Sequence, residues 1–169
     1  MNERREPDVI YADMVVTRVL DAPVGAIWDY LTVPENFGKW WAPEQFIVSK
    51  AEVDVRVGGR YHWCMRGPAG WDGNNPCYTG TFSEVVPHRK LSYNVQWADE
   101  QGKILTAAEM GMDFPDESNQ QIAFEALPDG RTILTVTEFR SPLNQMFAYS
   151  YAGLNQGIDR MMEHLNAKK

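Results

Sequence analysis

The spacing of apolar residues changes period along the chain, and each change marks a new kind of element. Met14 to Leu20 (MVVTRVL) is rich in β-branched residues and predicts a strand. Asp21-Ala22-Pro23 stops it, and Pro23 suits the first turn of a helix. Val24, Ile27, Trp28 and Leu31 follow at three- and four-residue spacing, which predicts a short amphipathic helix. Pro34 to Trp41 predicts a second short helix, joined to the first in a V.

From Phe46 the period is two. FIVSKAEVDV predicts a strand, Gly58-Gly59 a tight turn, and RYHWCMR the returning strand. In that strand Tyr61, Trp63 and Met65 share one face, and His62, Cys64 and Arg66 the other. GPAGWDGNNP is dense in turn formers and predicts a loop. CYTGTFSEVV and LSYNVQW are strands with Tyr78, Gly80, Phe82 and Leu91, Tyr93, Val95, Trp97 on their apolar faces. Residues 98–118 form a long connection with a Met-rich patch, Met110 to Phe114, of the length that lids and mobile loops have. NQQIAFEAL and RTILTVTEF complete the strands across a turn at Pro128-Asp129-Gly130.

Ser141-Pro142 reads as a helix start, and the helical period then runs from about Leu143 to Ala167. Met146, Ser150, Gly153, Leu154, Gly157, Ile158, Met161 and Leu165 form its apolar stripe. A glycine costs about 1 kcal/mol relative to alanine inside a helix. Gly153 and Gly157 on the buried face therefore call for close backbone approach or room for a guest. Successive hairpins make an antiparallel sheet, and a single long helix covers it only if the sheet curls around that helix. The expected fold is α+β, a seven-stranded curved antiparallel sheet around a long C-terminal helix. Space beneath that helix is its consequence. Residues 1–13 are expected to be a flexible N-terminal arm, and 14–169 a single domain.

Composition narrows the partners. The net charge of −7 comes without any basic run, which argues against nucleic acid and against anionic membranes. The charged start lacks the apolar core of a secretory signal, and no stretch approaches a membrane span, so a cytoplasmic location is expected. Cys64 and Cys77 face each other if the intervening segment is a hairpin centred near Gly70 and Trp71. A disulfide is then conceivable, while a reducing cytoplasm favours two buried thiols. His62, His88 and His164 are not spaced as metal ligands, so neither metal nor cofactor is expected. Nucleophile-elbow and phosphate-loop motifs are absent.

Several short motifs occur in one order along residues 14–165: Val16 to Pro23, Lys39-Trp40-Trp41-Ala42-Pro43, Gly58-Gly59-Arg60-Tyr61, Met65-Arg66-Gly67-Pro68 and Glu84-Val85-Val86-Pro87. Asp129-Gly130-Arg131-Thr132 and Gly153 to Arg160 follow. In this the chain resembles the START/Bet v 1-like (SRPBCC) superfamily, and within it stand-alone proteins similar to the C-terminal domain of the activator of Hsp90 ATPase. The resemblance implies a helix-grip fold whose cavity binds lipids, polyketides, hormones or aromatic compounds. The family's usual Trp near Leu154 is replaced here, and Gly157 stands where Ser is common, changes expected to enlarge the space beside the helix. With 13 residues ahead of the first strand, the co-chaperone's N-terminal domain is expected to be missing.

The expected ligand-binding residues are Trp40, Tyr61, Trp63, Met65, Tyr78, Phe82, Tyr93, Trp97, Leu134, Val136 and Glu138, with Met146, Gly153, Gly157 and Met161 on the roof helix. Arg18 and Glu138 alternate with apolar neighbours on strands expected to be adjacent. They either pair inside the cavity or reach solvent near the strand ends. The leading expectation is a non-enzymatic binder of a small apolar or aromatic molecule. Alternatives are an Hsp90-interacting protein and a polyketide cyclase-like enzyme using Glu138 and Tyr93. Both a monomer and a homodimer fit the sequence.

Overall fold

The computed structural model describes residues 9–73 and 75–168; most of the predicted N-terminal arm lies outside them. The elements follow in the order β1 (Tyr11–Leu20), α1 (Val24–Thr32), α2 (Pro34–Phe37), β2 (Ile47–Val53), β3 (Arg60–Arg66), β4 (Cys77–Val86) and β5 (Lys90–Ala98). Then come β6 (Ile104–Leu105), β7 (Glu117–Ala126), β8 (Thr132–Pro142) and α3 (Gln145–Asn166). The antiparallel sheet has the order β1-β8-β7-β5-β4-β3-β2, with the two-residue β6 paired to β5. The expected curved sheet and gripping helix are present. The first and last long strands are neighbours, as expected.

Local chemistry explains where boundaries moved. Ser141 and Pro142 do not open the last helix, because they pair with Ala12 and Tyr11 and lengthen both β8 and β1. The helix start is Asn144, whose side chain accepts from the Met146 and Phe147 amides at 2.9 and 3.3 Å. The second short helix ends at Phe37 rather than Trp41, and the chain from there to Ala42 continues as hydrogen-bonded turns.

The inward face of each strand divides along its length. Tyr61, Phe82, Leu91, Tyr93, Ile122, Phe124 and Leu134 pack with Ile27, Tyr30 and Leu31 of α1 and with Ile158 and Met161 of α3 in one dense core. The remaining inward positions, further along the same strands, meet the N-terminal half of α3 across open space. Gly157 brings α3 close to the turns that follow α2. A Cβ there would lie 3.1 Å from the Trp40 carbonyl oxygen and 3.3 Å from its ring. Trp40 cannot yield, since it is fully buried and its indole N–H donates to the Tyr30 carbonyl at 2.7 Å. At Gly153 a Cβ would make only ordinary contact, 3.5 Å from Pro43 Cγ.

The outward face of β3 is also covered. His62, Cys64 and Cys77 are buried beneath the β5–β6 turn, where the His62 Nε2 lies 3.0 Å from the Asp99 carbonyl oxygen. Cys64 and Cys77 stand directly opposite in the β3–β4 register and are joined by a disulfide. The expectation of two thiols is thereby corrected. It rested on compartment, whereas the cross-strand register brings the two Cα atoms to 4.0 Å.

Two outcomes follow for stability. Gly153→Ala should raise it by about 1 kcal/mol through helix propensity, whereas Gly157→Ala should lower it by about 1–2 kcal/mol because the overpacked contact outweighs that gain. Thermal melts of the two variants side by side check the contrast. Reducing the disulfide, or replacing both cysteines by alanine, should cost about 2–4 kcal/mol, measured by urea titration.

Candidate functional site

Between the sheet and the N-terminal half of α3 lies a cavity of about 390 Å³, a size typical of small-molecule sites. Its floor comes from Trp63 and Met65 on β3, Tyr78 on β4, Val95 and Trp97 on β5, and Val136 and Glu138 on β8. Met146, Gly153, Leu154 and Gly157 of α3 form the roof, and Trp40 and Trp41 close the inner end. The mouth carries the half-exposed Trp71, whose ring meets Phe46 edge-on at 5.1 Å. The 98–118 connection supplies Met112, Phe114 and Pro115 to the wall. It is fastened at both sides: the Trp97 indole N–H donates to the Pro115 carbonyl at 3.1 Å, and the Asn144 amide donates to the Asp113 carbonyl at 2.8 Å.

One polar group stands in this wall with a chain of bonds behind it. Glu138 is 4% exposed and accepts from the Ser141 hydroxyl at 2.6 Å and the Gln120 amide at 2.9 Å. Tyr93 donates to the Gln120 carbonyl oxygen at 3.0 Å, which leaves the amide nitrogen of Gln120 turned to the carboxylate. Burial holds the Glu138 carboxyl above the usual carboxylate range, and the bonds from Ser141 and Gln120 partly offset it. Burial and the Glu138 charge push the Tyr78 and Tyr93 phenols up, so both remain neutral near pH 7.

Arg18 is not the partner of Glu138. Met14 lies opposite Glu138 in the β1–β8 register, whereas Arg18 lies opposite Leu134 and turns to α3, bonding Asp159 at 2.6 Å and Asn155 at 3.2 Å. Of the residues predicted from sequence, Trp40, Trp63, Met65, Tyr78, Trp97, Val136, Glu138, Met146, Gly153 and Gly157 are brought together on the cavity wall. Tyr61, Phe82, Tyr93, Leu134 and Met161 are not; they belong to the packed core. Tyr61 stacks on Trp63 with ring centroids 3.9 Å apart, and its hydroxyl donates to the Asn94 carbonyl. Tyr93 stands behind Gln120, so it joins Glu138 only through that amide. Met14, Phe46, Trp71, Met112, Phe114, Ser118 and Gln120 are wall residues the sequence reading missed. The Met-rich patch before Phe114 was the available signal for the connection.

His62, Cys64 and Cys77 place their potential ligand atoms within 4.8 Å of one another on the outer face. Both sulfurs are committed to the disulfide, which removes them as thiolate ligands.

The sequence profile of the activator of Hsp90 ATPase homolog 1-like protein family matches residues 21–166, most of the chain. The chain belongs to this family. Solved structures agree on the fold: a protein of Chromobacterium violaceum is 24% identical with a TM-score of 0.72, the match covering 89% of this chain and 94% of that one. A protein of Mycobacterium smegmatis is 23% identical with a TM-score of 0.68, covering 95% and 94%. The AHSA1 protein of Silicibacter pomeroyi is 17% identical with a TM-score of 0.72, covering 94% and 100%. No curated protein matches the chain in sequence. Among the described residues no helix is long and apolar enough to cross a membrane.

The two helix positions expected to enlarge the space, Leu154 and Gly157, act differently in the structure. Leu154 lines the cavity. Gly157 instead permits the tight contact with Trp40.

The raised Glu138 carboxyl has a pH consequence. The folded state holds that proton more tightly than the unfolded chain, so Glu138 lowers stability as pH rises from the ordinary carboxylate range through its raised pKa. Melting temperatures measured from about pH 4 to 8 should show this decline in the native protein and a flatter profile in Glu138→Gln.

Proposed function

We propose that the protein binds a small apolar or aromatic molecule in the cavity beneath α3, without converting it. The observation that carries this reading is the aromatic-walled volume of about 390 Å³ kept open between the sheet and the helix. An apolar wall without neighbours forfeits dispersion contacts that the dense core obtains a few residues away on the same strands. A guest restores them. Trp63, Trp97 and Tyr78 offer flat faces suited to aromatic rings, while Met65, Met112 and Met146 adapt to irregular shapes.

Titration with the neutral fluorophore N-phenyl-1-naphthylamine tests this. Saturable one-to-one binding is expected, weakened about tenfold or more by Leu154→Trp, whose ring intrudes into the cavity while the variant still melts cooperatively. Absence of saturable binding, or identical binding by Leu154→Trp, would contradict the proposal.

A further inference from the structure

The chemistry of the wall narrows the guest further, on the premise that the cavity binds one. Among the described residues that line it, Glu138 alone carries a formal charge. Its hydrogen-bond partners are both donors, so they favour the ionised form, whereas its burial opposes that form. Ser141 and Gln120 both donate to it, one to each carboxylate oxygen, and Tyr93 fixes the orientation of Gln120. Ser141 is itself 1% exposed. A carboxylate presents about four acceptor positions, so two donors leave acceptor capacity unused.

Among the described residues no counter-charge answers this carboxylate. Among the described residues no lysine or arginine forms an ion pair with Glu138, and the candidate on the neighbouring strand, Arg18, is spent on Asp159. Buried carboxylates are costly unless paired. The same wall carries the rings of Trp40, Trp41, Trp63, Trp71 and Trp97, whose electron-rich faces attract cations in a desolvated site. The net charge of −7 also draws cations toward the molecule rather than anions.

We infer that the cavity takes an organic cation, an amine carried on an apolar or aromatic body, whose ammonium group pairs with Glu138 while the body lies among the tryptophans. Glu138 then serves as the missing half of an ion pair, and the wall selects against anions of the same shape. A neutral ligand that accepts a hydrogen bond from a protonated Glu138 is the competing chemistry.

Three probes of one shape separate these cases: 2-(1-naphthyl)ethylamine, 2-(1-naphthyl)ethanol and 1-naphthylacetate, each titrated by calorimetry at pH 7.5 into the native protein and into Glu138→Gln. The amine should bind about tenfold or more tighter than the alcohol, in line with the loss seen when one member of a buried charge pair is removed. The acetate should bind weakest. In Glu138→Gln the amine should fall to the level of the alcohol, while the alcohol, unchanged within about threefold, reports that the pocket is intact. Equal affinity of amine and alcohol in the native protein, or an equal loss of both in the variant, would overturn the cation assignment and leave the binding cavity standing. Failure of all three probes to bind would overturn both.

Discussion

The last helix comes down on the sheet side along only part of its length, and everything else follows from where it lands. Ile158 and Met161 are fully buried against the inward residues of the strands, and Gly157 lets the helix backbone come up against Trp40. Trp40 is held in turn by its bond to the Tyr30 carbonyl, so the V of short helices acts as a stop for the long one. A single helix fixed at that height over a twisted, curved sheet cannot follow it in both directions. Toward its N-terminus, the gap opens into the cavity.

The protein does not fill that gap with its own side chains; it lines it with large flat ones and fastens the rim. Trp97 and Asn144 tie the 98–118 connection across one side, the latter while also capping the helix. Into this low-polarity space the structure admits one carboxylate and supports it from behind with Ser141, Gln120 and Tyr93. Such a group is expensive as a purely structural element. It is readily understood as half of a recognition pair.

The period-two pattern told which faces of β3, β4, β5 and β8 point inward, and these faces carry the core and cavity-wall residues. It could not tell where along the strand the helix touches down. Leu134 and Glu138 share a face of β8, as do Tyr61 and Met65 on β3, yet the first of each pair is core and the second is cavity wall. That division depends on helix height, which is set by Gly157 and Trp40, residues remote from each other in sequence. The same limit applies to Gln120, an ordinary polar strand residue until the β7–β8 register sets it opposite Glu138. The disulfide was legible as geometry and misjudged on compartment. Arg18 was legible as inward-facing, but its partner lies on the helix rather than the neighbouring strand.

The most direct test of the cavity is a crystal structure of the protein soaked with 1-bromonaphthalene, read by the anomalous signal of bromine. The account predicts a single ordered bromine site between the N-terminal half of the last helix and the sheet, bounded by Trp63, Trp97 and Met146. Side chains interlocked across that space, with bromine found only on the outer surface, would contradict it.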